Sequence, residues 1–164
     1  MWTHEIYFDK VAIWTTIGVL ALVFGLSTLV SIVLWKKSIL VVIFALVTCI
    51  IPMIITYLYY PKRYLTDTSY LYVHRSIGKI RINKDEIQHI ERLSSKDLTG
   101  AYRKAASGGL FGYFGLFNTG KHGDIHVYTG SLKDHLVFVR LKSGKQYLFS
   151  PKNVQEFLKQ LEIE

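Results

Sequence analysis

Five histidines, His74, His89, His122, His126 and His135, fall beyond Pro61, and His122 and His126 bracket Asp124. Imidazole nitrogens and a carboxylate so close together are the ligand types of a zinc site. Such a site also wants ligands fixed in close pairs by regular structure, whereas His122 to Asp124 reads as a glycine-flanked turn and Cys49 lies far upstream in an apolar run. The expectation is strand histidines at or near the surface, with no metal and no cofactor. Ser107, Ser131, His126 and Asp134 supply the residue types of a hydrolytic triad, but no nucleophile elbow or paired carboxylates mark them. A non-catalytic chain is expected, with a membrane-tethered hydrolase as the weaker alternative.

Two other groups of residues could bind rather than react. Residues 108–123 hold six glycines and four aromatic rings, a density that favours neither a strand nor a helix. No Gly-Lys-Ser/Thr closes it into a phosphate loop, and no βαβ order surrounds it. Either Gly108, Gly109, Gly112 and Gly115 let a structural loop cross the domain while Phe111, Tyr113, Phe114 and Phe117 pack inward, or Phe111 and Phe114 are exposed to a lipid or partner, helped by Arg103, Lys104 and Lys121. The second group is basic. Residues 61–164 carry 17 Lys+Arg against 10 Asp+Glu, a balance of +7, and Lys62, Arg63, Lys79 and Arg81 are the candidates for contact with anionic headgroups. Lys79 and Arg81 alternate with Ile80 and Ile82, so both point away from a core. The charges are scattered and no recognition helix carries them, which argues against nucleic acid.

What positions these residues begins with two uncharged runs, 11–35 and 38–60, separated only by Lys36 and Lys37. At about 1.5 Å per residue each makes a helix of roughly 35 Å, long enough to cross a hydrocarbon core of about 30 Å. A cleaved signal peptide fits poorly, because Glu5 and Asp9 precede the first run and a second follows at once. Buried lysine in mid-bilayer costs about 2.5 to 3.5 kcal/mol, so Lys36 and Lys37 belong to a tight interfacial turn. Lys10, Lys62, Arg63, Arg75 and Lys79 flank the other ends, and five cations against two place both termini of this multi-pass chain on the cytoplasmic side. Trp14, Tyr57, Tyr59 and Tyr60 suit one interface and Trp35 the other. Gly18, Ala21, Gly25 and Thr28 form a small-residue seam that either packs on the second span or faces lipid or another subunit. Pro52 is a possible kink, and no Asp, Glu, Arg or His lies within either span, so the pair reads as an anchor.

Beyond Pro61 the pattern changes to short alternating stretches. Strands are expected at 63–67, 70–75, 79–83, 87–93, 124–128, 135–142 and 145–149, with turns at Ser76-Ile77-Gly78 and Ser143-Gly144. Leu136 to Leu141 is apolar on both faces except for Arg140, as a central strand should be. Ser150-Pro151 reads as a cap and first turn, after which Val154, Phe157, Leu158 and Leu161 repeat at helical spacing. A mainly β domain, 62–164, closed by one amphipathic helix therefore follows an N-terminal anchor, 1–61.

Six or seven antiparallel strands and a terminal helix suit several small barrels or sandwiches. From about Tyr64 to Leu161 the chain resembles the bacterial pleckstrin-homology family, chiefly in Gly108-Gly109-Leu110-Phe111-Gly112-Tyr113-Phe114-Gly115-Leu116-Phe117, Val127-Tyr128-Thr129 and Gly144-Lys145 leading to Ser150-Pro151 and Phe157. Ala105, Ala106 and Val154 depart from that pattern. The resemblance implies a PH-like barrel or sandwich, often joined to membrane spans, and a binding or assembly module whose ligand is unassigned. The partners expected are anionic lipid headgroups, a second copy or another membrane protein. The alternative is an accessory subunit of a transporter or membrane complex, assembled through its spans.

Overall fold

The computed structural model describes residues 1–34 and 39–161. The two uncharged runs fold as α1 (Lys10–Leu34) and α2 (Ile39–Tyr59), each long and apolar enough to cross a membrane. Phe24, Leu40 and Phe44 are among many large apolar side chains left exposed on them, which rules out a helical pair buried in a soluble core. Hydroxyls inside the helices close on their own backbone, Thr28 Oγ1 on the Phe24 carbonyl at 2.9 Å and Thr48 Oγ1 on Phe44 at 2.8 Å. Pro52 lies within α2. The expected turn at Lys36 and Lys37, and Trp35 beside it, lie outside the described residues.

The expected seam is not where the two helices meet. Gly18, Ala21 and Gly25 are exposed, and a Cβ added to Gly18 or Gly25 would meet nothing within 4 Å. The small residues thus face away from α2, since the half-buried positions of α1, such as Val19, Val23 and Ser27, fall on a different side.

The remaining chain forms two sheets and a helix. One sheet has the order β1-β2-β3-β4, from β1 (Trp2–Glu5), β2 (Pro61–Thr66), β3 (Tyr70–Arg75) and β4 (Lys79–Asn83). The other has the order β5-β9-β10-β8-β7-β6, from β5 (Ile87–Leu93), β6 (Tyr102–Gly109), β7 (Gly112–Thr119), β8 (Gly123–Thr129), β9 (Leu136–Leu141) and β10 (Gln146–Phe149). The sheets pack as a sandwich and do not close into a barrel, and the pairing is antiparallel except between β8 and β10. β9 is central as its sequence requires, and alternation sends Val137, Val139 and Leu141 to the core shared with Tyr64, Leu71, Val73 and Ile82. Leu136 and Phe138 go to a second core with Phe117, Ile125, Val127 and Leu148 on the other face. α3 (Val154–Leu161) seals the first core with Phe157 and Leu161.

Three local outcomes differ from the sequence reading. The glycine-aromatic segment is largely strand after all, the last two residues of β6 and all of β7 joined through Leu110 and Phe111. The cap of α3 is Asn153, which accepts from Glu156 N at 3.2 Å, and not Ser150. Ser150 is drawn away by the third departure, a strand ahead of the first span. β1 pairs with β2 from Trp2 opposite Thr66 to Glu5 opposite Arg63. The chain then continues along the sandwich, where Tyr7 N donates to the Ser150 carbonyl at 2.8 Å and Asp9 N to that of Gly130 at 3.1 Å. Asp9 finally caps α1, accepting from Ala12 N at 2.6 Å. The helical pair is thus inserted between two neighbouring strands of one sheet.

His4 holds the strand in place. It is buried, its ring meets Phe157 edge-on at 5.2 Å, and Nε2 lies 3.0 Å from Thr66 Oγ1. Burial, more than any charge near it, holds the imidazole below its ordinary value. The folded state therefore keeps His4 neutral at pH values where the unfolded chain, titrating near 6.5, already takes up a proton. Stability contributed by neutral His4 is present above about pH 6.5 and is lost as the pH falls below it. Thermal unfolding of the full chain should show a melting temperature that drops between pH 7 and pH 5, with a smaller drop in His4→Gln.

Candidate functional site

The ends of α1 and α2 nearest the sandwich define the membrane-facing end of the head, and two turns of the sandwich are fastened there. The first is the β6–β7 tip. Phe111 N donates to Thr16 Oγ1 at 2.9 Å, and that hydroxyl lies 3.1 Å from the Gly109 carbonyl and 2.8 Å from that of Ala12. The Phe111 ring sits against Tyr57 and Tyr60, with centroids 5.7 and 6.0 Å away, and lines the cleft between the helices with Val23, Ile50 and Ile54. Phe114, three residues on, faces a neighbouring cleft with Ile55 and Tyr59. Both rings picked out in the sequence therefore face α2, which is neither the core of the sandwich nor open solvent.

Glycine makes this approach possible. Gly112 has φ of +110°, and a Cβ there would lie 2.9 Å from the Thr129 carbonyl oxygen. Gly115 has φ of +113°, and a Cβ would collide with the Ala105 carbonyl and Ala106 across the hairpin. An L side chain at either position is excluded both by conformation and by space. Gly109, at φ +113°, is the buried point of contact with Thr15, while Gly108 lies under the Arg103 side chain.

The second fastening is the β3–β4 turn. Ile77 N donates to the Leu58 carbonyl and Ser76 Oγ to that of Tyr57, both at 3.1 Å, while the Ile77 side chain stays exposed. β2 leaves this end, β3 returns to it and β4 leaves again, so Lys62, Arg63 and Lys79 lie close to it and Arg81 two residues beyond Lys79. All four are exposed. Tyrosine rings underlie three of them: Lys62 Nζ is 5.5 Å from the Tyr57 centroid, Lys79 Nζ 5.1 Å from Tyr72 and Arg81 Cζ 4.7 Å from Tyr70. Arg75, which the sequence reading used only for topology, lies 5.4 Å from the Tyr59 ring. A ring face orients a cation without neutralising it.

Of the other candidate cations, Arg103 lies over Gly108 without an ion pair among the described residues, and two are matched. Lys104 pairs with Asp124 at 2.7 Å and Lys121 with Asp97 at 2.8 Å. Each hydrogen bond raises the lysine and lowers its carboxylate, so these pairs stay ionised. Residues suspected of chemistry are dispersed too. His126 stacks on Tyr147 and is held low by burial, His122 rests on Phe138, and Ser131 Oγ accepts from Lys133 N and Asp134 N. Ser107 Oγ donates to the Leu110 carbonyl within the tip. Among the described residues no three His, Cys, Asp or Glu side chains gather where they could hold a metal. Sequence reasoning missed Thr16, whose only signal was a hydroxyl pair, Thr15-Thr16, at the start of an apolar span.

A two-sheet sandwich with a C-terminal helix, borne on a pair of helices able to cross a membrane, is a PH-like head on an apolar anchor. Residues 62–164, more than half of the chain, match the family described as Bacterial PH domain, and the chain belongs to it. No curated protein and no solved structure matches the chain. Family membership points to a binding or assembly module.

Loss of the Phe111 ring should separate docking from folding. Each aromatic pair contributes about 1 kcal/mol, so Phe111→Ser should speed hydrogen exchange at Leu110–Gly112 by about tenfold or more. Exchange of the first core, at Val137 and Val139, should stay as it is.

Proposed function

We propose that this chain is a non-catalytic binding module of the bacterial inner membrane, with both termini cytoplasmic, whose head lies on the anionic leaflet through Lys62, Arg63, Lys79 and Arg81. The observation that carries this reading is the gathering of those four exposed cations at the end where the head meets α1 and α2. The five cations flanking this end support the cytoplasmic side. Each well-placed cation near an anionic surface contributes about 1 kcal/mol, and tyrosine rings already limit the freedom of three. Ile77 adds an apolar side chain at the same level. A second reading, assembly with a copy of itself or a membrane-protein partner, rests on Gly18, Ala21 and Gly25, which face away from α2.

Hydrogen exchange of the full chain in nanodiscs tests the first reading. Protection of Lys62–Tyr64 and Ile77–Arg81 should rise when phosphatidylglycerol replaces part of the phosphatidylcholine, and Lys79→Glu with Arg81→Glu should abolish that rise. Equal protection in both lipids would refute the lipid contact. Replacing α1 and α2 with an unrelated helical hairpin tests the second reading, because assembly through α1 would then be lost while headgroup contact remains.

A further inference from the structure

The second core is not fully covered. On that face of the six-stranded sheet a cavity of about 370 Å³ lies beneath the segments 95–101 and 132–133. Its walls are apolar, from Leu98, Tyr113, Phe117, Ile125, Val127 and Leu148. The volume falls in the usual range for small-ligand sites, about 300 to 1,000 Å³. Asp9 also lines it.

Asp9 is the unusual member of this wall. The residue is 6 % exposed, and the one hydrogen bond of its carboxylate among the described residues runs from Ala12 N to Oδ1. Oδ2 has no partner there, and no cation stands within ion-pairing distance, since the ion pairs among the described residues are His89–Glu91, Lys104–Asp124, Lys121–Asp97 and Lys152–Glu5. Lys133 lines the same cavity from an exposed position without pairing with it. The carboxylate is close enough to Tyr113 to help burial raise that phenol. Oδ2 is not sealed off, so a donor or cation placed in the cavity can reach it.

We infer that this cavity binds a small amphiphile with an apolar body and a protonated amine, the amine seated on Asp9 Oδ2. Charge decides the class: the one acid in the cavity wall is nine-tenths buried, while the one base, Lys133, is exposed to water and so screened. Apolar walls on most other sides exclude a ligand made mainly of polar groups. Because Asp9 also caps α1, the amine would sit beside the first turn of the membrane helix, held there by the Asp9 carboxylate against the positive end of the helix dipole.

The test uses the full chain in nanodiscs of phosphatidylcholine and phosphatidylglycerol, which contain no aminolipid, with methyl NMR at Leu98, Ile125, Val127 and Leu148. Hexylamine is the probe, with hexanol and hexanoate of equal chain length alongside. Hexylamine should shift these methyls at a concentration at least tenfold below that needed for hexanol, and hexanoate should bind weakest. Asp9→Asn keeps a good helix cap, so the protein stays folded. In that variant the preference for amine over alcohol should fall to about twofold or less. Ala101→Phe, which fills the cavity from its exposed rim, should weaken all three probes. Equal binding of amine and alcohol, an unchanged preference in Asp9→Asn, or methyl shifts that appear only when phosphatidylethanolamine is added to the disc would each overturn the assignment.

Discussion

The architecture depends on one pairing, that of β1 with β2 across the inserted helices. Closing a long loop costs free energy that grows only slowly with its length. A helical pair reduces it further, because packed helices bring their ends to within about 8 to 10 Å. Adjacent strands are about 4.8 Å apart, and the segment from Ile6 to Asp9 spans the difference while bridging to Pro151 and Gly130. Once that happens, α2 runs directly into β2 and α1 is joined to β1 by that short segment, both strands lying in the same sheet. The head has two covalent connections to the membrane helices, and both end in hydrogen-bonded backbone.

Two connections fix position but leave a rocking motion about the line between them. The β6–β7 tip removes it. Its contacts with Thr16, Tyr57 and Tyr60 lie on the six-stranded sheet, whereas the strand connections and the Ile77 turn belong to the four-stranded sheet. Three or more points that are not in line hold a body in one orientation. Binding then requires little further ordering of the head, and less free energy is lost on contact with a surface or partner.

Much of this was legible from residue patterns and some was not, for reasons that can be named. β3, β4 and β5 occupy the expected residues because alternation and β-branched side chains mark half-buried strands. β6 and β7 were hidden because their glycines answer to close approach and left-handed backbone, which override the low strand preference of the residue. β1 offered four residues of which only His4 is buried, too little for a period to show. The cap of α3 was misplaced because Ser150 had a competing use: its hydroxyl accepts from Gly130 N, and its backbone N–H donates to Tyr64. Such long-range claims on a side chain have no local signature. The cavity at Asp9 was invisible for the same reason, since it joins residues from the first ten to Leu148.

The same contrast governs charge. The sequence assigns residues 61–164 a balance of +7 but gives no place to it. In the folded head Lys104 and Lys121 stand beside carboxylates, and Lys121 follows β7 away from its membrane-facing start at Gly112. Seven residue steps at about 3.3 Å put that end some 23 Å from the tip, well beyond a screening length of about 8 Å in physiological salt. Charge there contributes little to the potential at the end of the head that meets α1 and α2. Lys62, Arg75, Lys79 and Arg81 are held by tyrosine faces instead of carboxylates, so their charge is oriented and still available to a phosphate. What counts for a surface is therefore the few cations that rings hold at one end, and the net charge of the domain is a poor guide to them.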